Sequence, residues 1–264
     1  MILPTRILLS NDDGIDAEGL KVLRKIAHHL TDDITICAPL SEQSGAGHSL
    51  SLRRPLRLHK RGAKKYAIDG TPTDSVLLAV NKVMAKRKPT LLLSGVNRGG
   101  NLGEDVTYSG TIAAAMEGAL LGIPSVALSM SASYGSAVKW QTPLRHGEAV
   151  LRWLMGLGWP VDIVMNVNFP DCLPDQVKGI RVTHQGFRKI GDHLGERTDL
   201  YGEPYFWLAP LREEKSSDPE ADIFAVQQNY ISVTPLSLDL TARAEMQRLH
   251  QASPSMPSFP AAKP

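Results

Sequence analysis

Short apolar runs alternate with stretches of helical periodicity along the chain, and three of the runs end in turns of glycine and small oxygen-bearing residues. These two observations predict an α/β fold, a Rossmann-like, doubly wound and mostly parallel sheet. Buried parallel strands read as near-continuous apolar runs, and their crossovers as helices. A third observation bounds the far end. From Ile180 the strand-like pieces are separated by polar segments, which predicts a C-terminal hairpin and helix extension used for oligomerisation. The expected organisation is one domain over residues 1–250, with a core over about 1–170 and the extension over about 171–250. A disordered tail is expected over 251–264, where proline is frequent and apolar surface scarce.

The first strand is Ile7-Leu8-Leu9, ending in Ser10-Asn11-Asp12-Asp13-Gly14. Leu20, Leu23, Ile26, Ala27 and Leu30 then recur at helical spacing, with Asp16 as the expected N-cap. Ile34 to Ala38 reads as a second buried strand closed by Pro39, so the unit predicts a parallel, right-handed crossover. After a loop over Leu40 to Gly47, rough alternation from Ser49 to Ile68 predicts an antiparallel excursion with a basic turn at Lys60-Arg61 and Lys64-Lys65. Thr73 or Asp74 is expected to cap a helix running through Val83. Leu91 to Leu93 ends in Ser94-Gly95, and a glycine-rich loop from Val96 leads to a helix over Thr111 to Leu121. Further strands are expected at Ser125–Ser129 and Val161–Asn166, with a helix around Leu144 to Leu157 between them. Ile180–Thr183, Tyr205–Leu208, Phe224–Val226 and Tyr230–Val233 read as strands of hairpins outside the main sheet, and Leu240 to His250 as a last helix.

A formal net charge of +2 over 264 residues argues against nucleic acid or a membrane surface as partner. Hydrophobic residues at 42% and charged residues at 21% describe a soluble globular chain. Cys37 and Cys172 are too few and too isolated for a disulfide framework or a zinc knuckle. No signal-peptide pattern appears and no apolar run approaches about 18 residues, so a cytoplasmic protein is the expectation.

Adjacent carboxylates at a strand end repel one another unless a cation or a shared proton relieves them. Asp12 and Asp13 therefore read either as ligands of a hard divalent ion or as solvated acids of an ordinary turn. Two other turns, Gln43-Ser44-Gly45 and Gly95-Val96-Asn97, follow strands expected to end at the same sheet edge. A cation there would see two carboxylates, an amide oxygen and a hydroxyl. The helix starting near Thr111 offers free N–H groups to an anion, with hydroxyls on Ser109 and Thr111 and close approach at Gly110. Ser109 also fits a plain N-cap. A haloacid-dehalogenase-type phosphatase would need Asp-x-Asp, and a receiver domain an acid where Ser94-Gly95 ends the third run; neither fits.

Taken together the motifs resemble the SurE family: Ser-Asn-Asp-Asp-Gly (10–14), Ala-Pro-Leu-Ser-Glu-Gln-Ser-Gly-Ala-Gly-His-Ser (38–49), Gly-Thr-Pro-Thr-Asp (70–74) and Ser-Gly-Val-Asn-Arg-Gly-Gly-Asn-Leu-Gly (94–103). Tyr-Ser-Gly-Thr-Ile-Ala-Ala-Ala-Met-Glu-Gly-Ala (108–119) and Val-Thr-Pro-Leu-Ser-Leu-Asp-Leu-Thr (233–241) complete the set. The resemblance implies a metal-dependent 5′-nucleotidase, with 3′-nucleotidase and exopolyphosphatase activity as extensions. It implies one Mg²⁺ or Mn²⁺ on Asp12, Asp13, Ser44 and Asn97, and phosphate held by Asn101, Ser109, Gly110 and Thr111. Asp12, Asp13 and Asn101 are the expected catalytic residues, acting by direct hydrolysis without a covalent intermediate. His48 is the nearest acid or base, expected in a hydrogen bond within its own loop. The resemblance further implies a homodimer or homotetramer with exchanged C-terminal segments. The alternative is a non-catalytic nucleotide-sensing protein on the same scaffold.

Overall fold

The computed structural model describes residues 5–132, 135–187, 194–208 and 216–252. The first strand, β1 (Ile7–Ser10), is buried at every position and lies at the centre of the sheet. Helix α1 (Glu18–His28) returns over one face and leads to β2 (Ile34–Pro39), which pairs parallel to β1. An outer hairpin follows, β3 (Leu58–Gly62) antiparallel to β4 (Lys65–Ile68), and β4 joins β2 in parallel. Helix α2 (Pro72–Leu78) continues through a π-helical turn to Val83. Next come β5 (Leu91–Arg98), the short α3 (Asp105–Tyr108), α4 (Gly110–Leu120) and β6 (Ser125–Met130). Helix α5 (Gln141–Leu157) leads to β7 (Ile163–Phe169). Beyond it lie β8 (Ile180–Val182), β9 (Leu194–Thr198), β10 (Pro204–Leu208), α6 (Asp222–Gln227), β11 (Ile231–Ser237) and α7 (Arg243–Gln251).

The nine-stranded sheet has the order β3-β4-β2-β1-β5-β6-β7-β11-β8. Strands β4, β2, β1, β5, β6 and β7 are all parallel, so the expected doubly wound architecture is present. Alternation along β1 sorts the core into two layers. Ile7 and Leu9 pack with Leu23 and Ile26 of α1 and Leu151 of α5, whereas Leu8 packs with Val76 of α2 and Ile112 of α4. Gly19 is what lets α1 come so close to β5: a Cβ there would lie 1.9 Å from the Val96 carbonyl oxygen.

Several local expectations need correction. Asp16 does not cap α1. Ala17 holds that position without a side-chain bond, and Asp16 instead meets Lys65 Nζ at 2.7 Å. The cap of α2 is Thr71, two or three residues earlier than expected. Its hydroxyl accepts from the Asp74 amide at 3.1 Å, while the Asp74 carboxylate accepts from the Thr71 amide at 2.9 Å, a reciprocal capping box. Residues 49–57 form no strand, and Leu52 is 84% exposed. Phe224–Val226 is helical, part of α6.

The largest correction concerns the C-terminal strands. β8 and β11 belong to the main sheet, with β11 antiparallel to β7 from Ser232–Asn168 to Ser237–Ile163. Left uncovered, β7 would be an apolar edge strand, and β11 removes that edge. Ile231 and Val233 are buried in the α1 and α5 layer and Leu236 in the α2 and α4 layer, and Thr234 meets the Thr183 hydroxyl at 2.8 Å. Among the described residues, only β9 and β10 form a separate hairpin of the kind expected. The expected tail over 251–264 falls almost wholly outside the described residues. No described helix is long and apolar enough to cross a membrane.

Candidate active site

The strand order reverses between β1 and β5: α1 leaves β1 over one face, and α4 follows β5 over the other. Crevices form at such switch points, outside the carboxyl ends of the strands. Ser10 and Ser94 sit side by side in register, so the turns after β1 and within β5 begin at the same level. The Asn11 side-chain amide donates to the Gly14 carbonyl at 2.9 Å and closes the first turn, where Gly14 takes φ +100°.

That turn buries Asp12, 4% exposed, and leaves Asp13 partly exposed. The Thr111 hydroxyl donates to Asp12 Oδ1. Gly110 permits this contact, since a Cβ on it would lie 2.7 Å from Asp12 Cβ. The N-terminus of α4 therefore already faces a carboxylate, which its dipole favours. Burial nevertheless pushes the Asp12 carboxyl above the ordinary range, outweighing the Thr111 bonds. Asp13 is raised to about 6, first by burial and then by the neighbouring Asp12 charge, against the Arg98 amide that donates to its Oδ2 at 3.3 Å.

The other expected ligands arrive by separate routes. The Gln43 amide donates to the Asp12 carbonyl at 2.8 Å, which ties the Ser44 loop to the acidic turn. The Ser44 hydroxyl itself is exposed and donates to Glu42 Oε1 at 2.9 Å, so the structure brings its loop to the site while its oxygen is engaged with Glu42. Asn97 follows a register shift in β5 between Gly95 and Asn97, a bulge that re-aims the residue after it. Its side-chain nitrogen donates to the Gly99 carbonyl at 2.9 Å, which leaves the amide oxygen for another partner. These donors suit a hard dication: every one is an oxygen, and the acidic pair is destabilised by its own charge. Ser10 Oγ, Asn11 Oδ1 and Ser94 Oγ, buried without a protein partner, add further oxygens to the same two strand ends.

Of the expected phosphate group, Ser109 is the N-cap of α4, its hydroxyl accepting from the Ile112 amide at 3.1 Å. The plain capping role is thus present, and the hydroxyl proton stays available to an oxyanion. Asn101 is 5% exposed and held by residues the sequence reading passed over. Its amide donates to Asn168 Oδ1 at 2.8 Å, its side-chain nitrogen to Ser129 Oγ at 2.7 Å, and its carbonyl accepts from Asn166 Nδ2 at 2.9 Å. Two buried asparagines two residues apart on an apolar strand were the available signal.

Asp222 was missed altogether. It is buried on α6, where its carboxylate accepts from the amides of Gly103 at 3.0 Å, Gly186 at 2.9 Å and Ile223 at 2.7 Å. The Gln185 side chain also donates to the Gly103 carbonyl at 2.8 Å, and Leu102 packs on Ile223 and Val226. The C-terminal part of the chain is therefore fastened to the loop that carries Asn101. His48 also departs from expectation: its partner is not in its own loop but Glu117 of α4, at 3.0 Å. Lys64 and Lys65 of the basic turn are paired with Asp33 and Asp16, each at 2.7 Å.

The family model described as survival protein SurE matches residues 7–192. A protein of Paramagnetospirillum magneticum described as 5′-nucleotidase SurE is 56% identical, over 94% of this chain and 95% of its own length. One of the same description from Parvibaculum lavamentivorans is 49% identical, over 94% of this chain and 90% of its own. Among solved structures, the SurE protein from Aquifex aeolicus superposes with a TM-score of 0.82 at 37% identity, covering 94% of this chain and 99% of that one.

The Asp13 shift fixes a pH dependence. A carboxyl raised from 3.8 to about 6 binds its proton more tightly in the folded state, so metal-free protein loses stability as pH rises through that window. Asp13→Asn should melt higher than the parent in chelator at pH 7.5, by on the order of 1 kcal/mol after solvent screening, with the gap closing toward pH 4. Equal melting at both pH values would contradict the assigned cause. Asp222→Ala should cost about 2–4 kcal/mol by thermal unfolding, because three buried amides lose an ionic acceptor.

Proposed function

The chain belongs to the SurE family, and on that premise we propose that it is a nucleotidase, a phosphoric monoester hydrolase that releases phosphate from nucleoside 5′-monophosphates. The observation that carries the reading is the juxtaposition of a charge-strained acidic pair with a helix N-terminus at the switch point of the sheet. Acids alone would hold a cation and the helix alone an anion. Side by side they suit a phosphate ester neutralised from one side and hydrogen-bonded from the other.

Asp12, Asp13, Ser44 and Asn97 would hold one Mg²⁺ or Mn²⁺, with the Ser44 hydroxyl turning from Glu42. When bound, such an ion offsets charge on the phosphoryl oxygens and makes water a better nucleophile near neutral pH. The remaining work belongs to the chain. The Ser109 hydroxyl and the first turn of α4, with Gly110 keeping the approach open, orient the phosphoryl group. Asn101, fixed by Asn166, Asn168 and Ser129, donates to the oxygen on which charge develops. Asp13 orients the attacking water in line with the leaving alkoxide. Thr111 holds Asp12 in place through its hydroxyl. 3′-Nucleotidase and exopolyphosphatase activity would use the same centre, because the contacts address phosphate oxygens and not the group they are attached to.

We also infer an assembly with exchanged C-terminal segments, as dimer or tetramer. Helix α7 has no buried residue, with Leu249 at 51% exposure; Leu240 just before it is 89% exposed, and Phe206 and Trp207 of the hairpin are 57% and 66% exposed. Apolar surface of this extent fits a second copy of the chain.

Purified protein with Mn²⁺ should release phosphate from AMP or GMP. Asp12→Asn should abolish release, and Asn101→Ala should lower kcat by about 10²-fold, the usual cost of one oxyanion donor. Full activity in Asp12→Asn would overturn the ligand assignment, and nucleotide binding without phosphate release in the parent would favour the sensor. Deleting residues 240–264, which spares β11, should reduce the oligomer measured by light scattering. An unchanged mass would end the segment-exchange reading.

A further inference from the structure

We propose that the β3–β4 flank of the sheet is a binding surface for inorganic polyphosphate, which lies along it with one chain end directed to the N-terminus of α4. The inference rests on the proposed phosphate chemistry for the place of that end, but not for its binding test.

The formal charge of +2 conceals an uneven distribution. Residues 53–88 carry eleven Lys and Arg against two acids, whereas the rest of the chain carries eighteen against twenty-five. One of the two acids, Asp74, is buried in the capping box of α2 and offers no charge to the surface. The excess lies on one flank, because β3 is the outermost strand and β4 its inner neighbour. Three acids hold that flank, and each is outnumbered. Asp69 accepts from the Arg57 amide at 2.6 Å, and the Arg54 guanidinium donates to its carbonyl. Asp33 meets Lys64 at 2.7 Å and Arg87 at 3.4 Å. Asp16 meets Lys65 at 2.7 Å, with Arg61 and Lys21 acting on the same carboxylate. These hydrogen bonds first, and the surrounding cations next, keep all three carboxyls below the ordinary range. Arg53, Lys60 and Arg61 are exposed and form no ion pair among the described residues.

The cations form a stripe with a direction. Leu58 pairs with Ile68 at the end of β4, so β3 starts at the carboxyl edge of the sheet. Arg53, Arg54 and Arg57 stand at that end, and Lys60 and Arg61 lie toward the other. Five strand residues rise about 17 Å, longer than one phosphate ester, so the stripe calls for a polymer of charges. Its arginine end adjoins the proposed phosphate site. The Thr71 hydroxyl donates to the Ser49 carbonyl at 2.8 Å and the Ser51 amide to Asp74 Oδ1 at 3.1 Å, which seats the segment before Arg53 on the first turn of α2. Pro72 of that turn packs against Gly110, its Cγ 3.1 Å from where a Cβ would stand.

The absence of rings along the stripe selects the polymer. Surfaces that hold single-stranded nucleic acid add aromatic side chains on which bases stack. Between residues 53 and 88 the sole Phe, Tyr or Trp is Tyr66, partly buried against the α2 and α4 layer. Cations without a stacking platform fit a polyanion without bases. Hydrolysis at its end adds water across the terminal phosphoanhydride, leaving orthophosphate and a chain one phosphate shorter.

Binding can be measured in chelator, without metal and without turnover. Calorimetric titration of the metal-free protein with long-chain polyphosphate should show saturable binding, about tenfold or more tighter than for tripolyphosphate, which cannot span the stripe. Replacing Arg53→Gln, Arg57→Gln, Lys60→Gln and Arg61→Gln together should weaken the long chain by about tenfold or more. The slope of log K against log salt should become shallower by about 3, at roughly 0.7 for each cation removed. The pair Lys60→Gln and Arg61→Gln alone should give about half that change in slope, and reads the proposal even if the fourfold variant fails to fold. Both variants should keep the parent kcat and KM for AMP with Mn²⁺. No binding of long-chain polyphosphate, or equal affinity and salt slope in parent and variants, would overturn the surface. A single-stranded oligonucleotide of equal charge competing as well as polyphosphate would overturn the choice of ligand. Polyphosphate binding that the variants weaken, in a protein that releases no phosphate from AMP or polyphosphate, would overturn the proposed hydrolysis and leave the surface standing.

Discussion

Two carboxylates sharing one strand end, one buried and one half-buried, are the constraint around which the rest of this structure is arranged. Burial pushes both above the ordinary carboxyl range, and the Asp12 charge adds to the shift of Asp13, so the folded chain carries an electrostatic strain at the centre of its sheet. The surroundings soften it without cancelling it. Thr111 and the α4 N-terminus support Asp12, and the Arg98 amide supports Asp13. No lysine or arginine side chain forms an ion pair with either acid among the described residues, where the pairs found lie at the periphery. A site left anionic in this way is suited to an added cation, and it explains why α4 must start at a glycine packed against Asp12.

A second layer of order lies behind the loop that carries Asn101. Asn101 is gripped by Ser129 of β6 and by Asn166 and Asn168 of β7, while Gly103 two residues on is gripped by Asp222 and Gln185. The first set belongs to the parallel core and the second to the segments beyond β7. Polar groups buried this fully are costly unless every one is partnered, and here the partners span three distant parts of the chain. The loop is therefore fastened to the parallel core at Asn101 and to the C-terminal elements at Gly103.

Much of this was legible in the sequence because the responsible patterns are local. Ile7-Leu8-Leu9 followed by Asn-Asp-Asp-Gly declares a buried strand and an acidic turn, and the convergence of three such turns follows from parallel topology. What could not be read was set by distant partners. Asp16 looks like a cap, yet Lys65, 49 residues away, claims it. Asp222 lies beside Phe224-Ala225-Val226, an apolar triplet that resembles a strand. Its helical state and its bonds to Gly103 and Gly186 are decided by tertiary contact. Likewise β11 reads as a hairpin strand, since nothing in its own residues reveals that β7 lacks a neighbour. His48 was expected to bond locally and instead reaches Glu117 on α4.

The central claim is that the strained acidic pair exists to take up a hard dication, and proton release on metal binding tests it most directly. With Asp13 near 6, about half of that carboxyl is protonated at pH 6 and little of it at pH 8. Titrating Mn²⁺ into chelator-stripped protein in buffers of different ionisation enthalpy should show more protons released per ion at pH 6 than at pH 8. Uptake with the same proton count at both pH values, or no uptake at all, would contradict the account.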